Sequence, residues 1–433
     1  MPDTVPPDAL RPGAAPPAAV RREAVPPAPR LLDSIGRDDL LGHADAHRPH
    51  FWRGAAKSPA LFGWDDLNHL LSHSRPSPSR LKLARERRTI PYESWTTPSS
   101  GGEDAAVLPE ALHRYLSEGA TMVLNGVDEL HPDTEHTAAD LERLFRTVVR
   151  TNLYASWTAT EGFGLHFDDH DVLVVQLSGR KRWRIHAPTR AAAMLHDVVT
   201  PPRPTGEPYA DTVLDEGDVL FLPRGWWHGA SAGEGTHSMH LTYSIVPITG
   251  VDFIRWFTAH LPAEECFRLA LPLREPAAQR DAHIRGLADV LAQMLRRPGL
   301  LDRFAATVAT RSASRLHVNL PTAVRAEGRP ADALPDPLRL SYAQGLVADE
   351  GEDGAVLTGA GHTWRLDAAC RAALLVLWDG DWHGLTELRR AAGEKTWPDV
   401  AGFLSDLLDK GLVSAGPDRR QRPKMPPHPS LPS

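Results

Sequence analysis

Only two cysteines, Cys266 and Cys370, occur in 433 residues. They cannot make a disulfide framework and are not spaced as metal ligands, which fits a reducing cytoplasm. No apolar run approaches the roughly 20 residues of a membrane span. The N-terminus lacks the apolar core of an export signal, so a cytoplasmic chain with no membrane contact is expected. Excess positive charge is also missing: the formal net charge is −7, which argues against a general nucleic-acid binder. What is present is ordinary for a globular protein, 42% hydrophobic and 24% charged residues. The length calls for two or three domains.

Many of the 39 prolines crowd the ends. Residues 1–32 are rich in Pro and Ala with almost no large apolar side chain, so an extended or disordered tail is expected. The Arg/Pro-rich stretch 417–433 reads the same way. Order should begin near Leu31 and Leu32. Asp65-Asp66-Leu67 opens a short helix, and 120–124 is a strand ended by Asn125-Gly126. Leu141, Leu144, Phe145 and Val148 recur at helical spacing, which predicts an amphipathic helix over 137–150. Strands are then expected at 152–158, around His166, and at 172–177, 181–185, 212–222 and 237–246. A Pro-rich excursion at 201–211 would line a substrate mouth. Many short strands with Gly and Pro turns point to a double-stranded jelly-roll.

After Val251 the pattern becomes helical. Phe253, Ile254, Trp256 and Phe257 cluster, and Ile284, Leu287, Val290, Leu291, Met294 and Leu295 form a helical stripe within 281–295. From 338 to 415 the order reads strand, helix (367–378), helix (385–392), helix (398–408), strand (Leu412-Val413). That order fits a winged helix, but 327–416 carries 8 Lys/Arg against 15 Asp/Glu. An acidic module is repelled by phosphate, so an interaction or scaffold role ranks above DNA binding.

Chemistry concentrates in 162–188 and 223–230. In an extended chain, residues i and i+2 share a face, so His166 and Asp168 point into one lumen while Phe167 points away. The pattern His-x-Asp also occurs at His43/Asp45 and His131/Asp133, in polar, Pro-bearing surroundings that favour solvated loops. At His166 a strand-like apolar run follows at once. His228 stands after Pro223-Arg224-Gly225, a turn able to aim an imidazole. Two imidazoles and one carboxylate on one face of a metal, with open positions, suit non-haem Fe(II) and oxygen chemistry.

The region resembles the JmjC-type cupin oxygenases, most closely the ribosomal-oxygenase branch that hydroxylates ribosomal proteins. The ordered matches are Asn152 and Tyr154; His166 and Asp168; Gln176, Gly179, Lys181 and Trp183; Gly217, Asp218, Pro223, Arg224, Gly225 and His228; and Ser238, His240, Thr242 and Ser244. The resemblance implies a mixed α+β chain: a Pro-rich tail (1–32), a JmjC double-stranded β-helix cupin (33–250), a helical dimerisation region (251–325), a winged-helix-like domain (326–416) and a final tail (417–433). It implies Fe(II), 2-oxoglutarate and O2, with His166, Asp168 and His228 as metal ligands. Lys181 would pair with the distal carboxylate of 2-oxoglutarate. Asn152, Tyr154 and Ser244 would add hydrogen bonds around it.

Beside these, Gln176, Trp183 and His240 are packing or supporting residues. Arg180 and Arg182 face solvent or the mouth, and Asp169 and His170 face the substrate. The expected activity is hydroxylation of a protein or peptide side chain, a ribosomal-protein His or Arg first, by a homodimer. The alternatives are a tailoring hydroxylase for a peptide natural product and a non-oxidative cupin or pseudo-enzyme. Histone demethylation ranks lower.

Overall fold

The computed structural model describes residues 30–56, 61–97, 105–158, 162–194, 201–232, 237–311, 315–320, 323, 334–342, 346–349 and 355–416. The expected tails, apart from 30–32, lie outside these residues. Helices α1 (Leu31–Ile35) and α2 (Arg37–Asp45) lead into β1 (His50–Trp52) and α3 (Trp64–His73). Leu31 and Leu32 are already core residues. His43 and Asp45 lie on α2, not in a solvated loop. Then come β2 (Leu81–Arg85), β3 (Arg88–Ile90), α4 (Pro109–Ser117), β4 (Thr121–Asn125) and α5 (Pro132–Phe145).

The 137–150 helix is displaced toward the N-terminus. Pro132 sits in the first turn, where its missing N–H costs nothing, so His131 and Asp133 belong to a helix start and not to a loop. Arg146 turns left-handed at φ 54° and stops the helix. The apolar spacing runs on to Val148, which lies between the end of α5 and the start of the next strand at Val149.

That strand is β5 (Val149–Ser156), followed by β6 (Asp171–Gly179), β7 (Lys181–His186), β8 (Ala210–Leu214), β9 (Val219–Leu222), β10 (Trp227–Ala232) and β11 (Ser238–Ile245). An eight-stranded antiparallel sheet runs β1-β9-β6-β11-β5-β4-β2-β3, and a three-stranded sheet runs β10-β7-β8. The expected 212–222 strand is two strands in different sheets, split by the turn in which Asp218 accepts from Asp215 N at 3.0 Å. The His-x-Asp segment is not a full strand; it makes one antiparallel bridge, His166 with His228.

The larger sheet is buried on both faces, which explains the unbroken apolar run of β6. Leu173, Val175 and Leu177 join Leu241, Tyr243 and Ile245 in a core under α1–α5. Val172 and Val174 face the small sheet with Trp183, Ile185, Leu214 and Trp226.

Helices α6 (Gly250–Thr258), α7 (Ala277–Leu295) and α8 (Leu300–Arg311) follow. Trp256, Phe257, Met294 and Phe304 make a small core, but Ile284 of the expected stripe is 57% exposed. The last region holds β12 (Leu338–Leu340), β13 (Leu346–Asp349), β14 (Ala355–Gly359), β15 (His362–Leu366), α9 (Ala368–Leu377), α10 (Leu385–Ala392), α11 (Trp397–Asp409) and β16 (Val413–Ala415). The three helices match expectation, whereas the antiparallel sheet β13-β14-β15 was not foreseen. Its strands carry a mixed sequence around Gly359-Ala360-Gly361 without clean alternation.

Helix α5 ties the two halves together. Glu135 meets His317 at 2.8 Å, and Arg143 Nη2 donates to Leu340 O at 2.9 Å. Arg315 reaches Glu142 at 2.9 Å and Asp128 at 3.0 Å, with all three side chains nearly fully buried. Arg315→Ala strands both carboxylates, so a loss of roughly 3–5 kcal/mol is expected. Urea denaturation measures it; a change within ~0.5 kcal/mol, the range of neutral surface substitutions, would show that the ion cluster is dispensable.

Candidate active site

Alternation builds the site. On β5, Leu153 and Ala155 enter the helix-side core, so Asn152 and Tyr154 face the other way. On β11, Leu241, Tyr243 and Ile245 do the same and leave His240, Thr242 and Ser244 on the inner face. These polar residues line one cavity of about 340 Å³ between the two sheets, together with His166, Asp168, His228, Lys181 and Trp183. The seven site residues expected from sequence therefore all meet there.

His166 and His228 are fixed by a reciprocal backbone pair, His166 N to His228 O at 3.0 Å and His228 N to His166 O at 2.7 Å. Each ring is then oriented from behind. His166 Nδ1 donates to Gly164 O at 2.9 Å, and His228 Nδ1 donates to Trp226 O at 3.1 Å. A proton on Nδ1 leaves the Nε2 lone pair free. His228 Nε2 lies 3.6 Å from Asp168 Oδ2, and one donor atom from each of the three residues falls within 4.8 Å of the others. Burial, then the neighbouring His166, push His228 down to about 4, so its imidazole is neutral at ordinary pH.

The Pro-Arg-Gly turn locks the carboxylate side. Gly225 adopts φ 81° and its N–H donates to Asp168 O at 2.8 Å, while Arg224 N donates to Asp171 Oδ1 at 2.8 Å. Two imidazoles and a carboxylate on one face, with the remaining directions open to the cavity, can hold a divalent transition ion.

Lys181 follows the tight turn at Gly179, where φ is 65° and a Cβ would stand 1.9 Å from His237 O. Along β7, Lys181, Trp183 and Ile185 are buried while Arg182 and Arg184 are exposed. Lys181 is 4% exposed, and its Nζ donates to Ser156 Oγ at 3.1 Å. Among the described residues no carboxylate pairs with it, and it is the only Lys or Arg lining the cavity. Burial pushes its pKa down to about 8. Arg180 and Arg182 instead pair at the surface with Asp215 and Asp211, both at 2.6 Å.

The remaining lining is held in defined protonation states. Burial and then the Asp168 charge push Tyr154 up to about 12, so it stays a donor. Burial and Lys181 keep His240 neutral, stacked 5.0 Å from Tyr154. Nδ1 of His240 and Nε1 of Trp183 are buried without a hydrogen-bond partner among the described residues. Gln176 is structural, donating to Ser238 Oγ at 3.0 Å. His170 lines the cavity; Asp169 is not among its lining residues. Sequence reasoning missed Ser156, although it extends the Asn152, Tyr154 alternation by two residues. It also missed Thr121, which reaches the cavity from a strand with no motif, and Phe163, three residues before His166.

Residues 129–252 match the family model of the JmjC domain. The bifunctional lysine-specific demethylase and histidyl-hydroxylase NO66 of Aedes aegypti is 32% identical over 165 residues, 37% of this chain and 26% of that protein. Ribosomal oxygenase 1 of Rattus norvegicus is 34% identical over 140 residues, 32% of this chain and 24% of that protein. The match thus spans only about a quarter of either curated relative. YcfD, a ribosomal oxygenase from Escherichia coli, shares the fold over 84% of this chain and 94% of its own, with a TM-score of 0.56 at 17% identity. A YcfD complex with cobalt and 2-oxoglutarate matches with a TM-score of 0.55 at 18% identity. Residues 129–252 are therefore similar to JmjC domains, and the fold as a whole is shared with YcfD.

A buried ammonium without a counter-ion costs stability. The folded pKa of Lys181 lies below its unfolded value, so the cost is complete below about pH 8 and fades as pH rises toward the ordinary lysine value of 10.5. Lys181→Met should therefore stabilise the protein at pH 7, by up to on the order of 3 kcal/mol, with the gain shrinking above pH 8. Denaturation of both proteins across this pH range, without added anions, is the measurement. A less stable Lys181→Met would mean that Ser156 and the cavity already satisfy the charge.

Proposed function

We propose that the chain is an Fe(II)- and 2-oxoglutarate-dependent oxygenase that hydroxylates a side chain of a protein or peptide, a ribosomal-protein His or Arg first. One observation carries this reading: a His166/Asp168/His228 donor set with both Nε2 atoms free shares a cavity with a buried lysine that no carboxylate among the described residues pairs with. The donor chemistry fits iron, and the Lys181 ammonium fits a dianionic cosubstrate. The YcfD complex with cobalt and 2-oxoglutarate supports the same pairing.

Bound together, Fe(II) and 2-oxoglutarate supply O2 activation, coupling decarboxylation to succinate and CO2 with hydroxylation of a C–H bond. The chain's own part is to bind and orient. His166, Asp168 and His228 would occupy one face of the metal. Lys181 would hold the distal carboxylate of 2-oxoglutarate, with Tyr154 donating from its protonated hydroxyl and Asn152 and Ser244 bordering the same space. Trp183, Val172 and Val174 exclude water from that end. His170, on the cavity wall beyond the ligand set, would meet the substrate.

The same reading divides the chain into a catalytic cupin to 250, a helical region 251–325 and a winged-helix-like domain 326–416. With 15 Asp/Glu against 8 Lys/Arg over 327–416, the last is proposed as an interaction element and not a DNA reader. No helix among the described residues is long and apolar enough to cross a membrane, and a cytoplasmic setting is proposed from the cysteine content.

Iron-loaded protein should convert 2-oxoglutarate to succinate and add 16 Da to a ribosomal protein in lysate, mapped by mass spectrometry. His166→Ala and His228→Ala should lose both bound iron and turnover; full occupancy and activity in His228→Ala would refute the ligand assignment.

Lys181→Ala should weaken 2-oxoglutarate by on the order of a hundredfold or more, since half of a buried ion pair is lost. Iron binding should survive, and Lys181→Arg should be milder. Unchanged affinity would place the cosubstrate cation elsewhere.

The homodimer is proposed through α6–α8, where Ile284 and Leu301 are 57% and 67% exposed. Such an apolar face favours burial against a second copy. Light scattering should give twice the chain mass at micromolar concentration; a monomer there would remove the claim.

A further inference from the structure

We propose a second metal site, built from Asp39, His43 and His50, that takes a divalent transition ion such as Zn(II) and clips α2 to β1. It is independent of the catalytic reading, and its donors lie outside the cavity. One donor atom from each of the three residues falls within 4.8 Å of the others, the same convergence shown by the His166 set.

Asp39 and His43 stand one turn apart on α2, so they share a face. Their facing atoms, Asp39 Oδ1 and His43 Nε2, are 3.6 Å apart. Two ligands bound tetrahedrally at 2.0–2.2 Å would be separated by about 3.4 Å, so this pair already has the bite of a chelate. His50 comes from a neighbouring element, and its position is set by β1 pairing with β9, His50 opposite Phe221. Its ring stacks on His43 with centroids 3.8 Å apart, and one of its nitrogens lies within 4.8 Å of the Asp39 and His43 donor atoms.

The site also has outer support. Trp52 Nε1 donates to Asp39 Oδ2 at 2.8 Å, which occupies the far carboxylate oxygen and aims Oδ1 at His43. The Trp52 ring edge packs on His50 at 4.6 Å. Two imidazoles and a carboxylate match Zn(II) preference, and partial exposure leaves room for water as the remaining ligand. An unoccupied surface His pair has no need of a Trp-anchored carboxylate.

The clipped segment touches the catalytic loop. His47 O, in the turn between α2 and β1, accepts from Trp226 Nε1 at 3.1 Å, and Trp226 O is the acceptor that orients His228. An ion at Asp39, His43 and His50 would therefore stiffen the strap that holds the back of His228.

The test uses tag-free, EDTA-stripped, full-length protein titrated with Zn(II) by calorimetry, with bound metal counted after desalting. Wild type should bind two equivalents, one of which is lost in His228→Ala. His50→Gln and Asp39→Asn should keep the His228-dependent equivalent and weaken the other by on the order of a hundredfold, since outer-ligand changes alone cost ten- to hundredfold. In His228→Ala, zinc should still slow amide exchange across residues 37–52, a readout that does not need the catalytic set. One equivalent in wild type with none in His228→Ala overturns the proposal. So does wild-type binding in His50→Gln, which preserves the packing if His50→Ala does not fold.

Discussion

Two backbone hydrogen bonds between His166 and His228 are the constraint on which the rest of the site depends. They join a loop from one side of the barrel to β10 in the other sheet, outside any regular ladder. Side chains alone could not bring two imidazoles together reproducibly, because each has rotamer freedom to lose. With the backbones paired, the Nδ1 bonds to Gly164 and Trp226 remove the ring-flip freedom that remains. The strap 46–49, through His47 and Trp226, and the Gly225 contact to Asp168 then hold the two ends of the bridge. A donor set with this much backbone support is preorganised, so binding an ion costs little further ordering.

The fold tolerates so polar an interior because each strand that contributes to it is doubly used. Leu153, Ala155, Leu241, Tyr243 and Ile245 bury apolar surface on one face while Asn152, Tyr154, His240, Thr242 and Ser244 occupy the other. At roughly 25 cal/mol per Å² the helix-covered face supplies the driving force, and the cavity face is free to carry groups chosen for chemistry. Lys181, desolvated and held by one serine hydroxyl, is where stability is given up most plainly.

Much of the site was legible from sequence because of period-two spacing: residues 152 and 154, and 181 and 183, follow from strand geometry once the strands are placed, whereas 166 and 168 reach the same cavity from a segment with a single bridge. The lone ligand His228 was legible from its turn. The edges were less so. The end of helix α5 was hard to place because the apolar spacing continues to Val148, past the left-handed Arg146 that stops the helix. The 212–222 run holds apolar residues at both ends, Val213-Leu214 and Val219 to Leu222, on either side of a polar Asp215-to-Asp218 turn; the assignment of the two ends to different sheets is a tertiary choice. Pro and charge around His43 and His131 suggest loops, although proline at the first position of a helix, as at Pro132 beside His131, is favourable, and His43 lies near the end of a helix that precedes Pro49. Sheet β13-β14-β15 carries too little alternation to announce itself.

Register makes this arrangement sensitive. Along β11, His240 pairs with Gln176 and Thr242 with Val174, but Met239 pairs with Ser178, so Leu177 is the extra residue of a bulge. The bulge lets β6 keep Val172, Val174 and Gln176 on the inner face and still enter the Gly179 turn with Lys181 pointing inward. Without it, a slip of one residue would carry β7 around, bury Arg180 and Arg182, and expel Lys181 and Trp183. Gly179, whose Cβ would collide with His237 O, is therefore the residue through which the turn decides which of the cations Arg180, Lys181, Arg182 and Arg184 enters the cavity. Lys181 enters by strand parity alone, and the arginines on either side are left to pair with Asp215 and Asp211 at the surface.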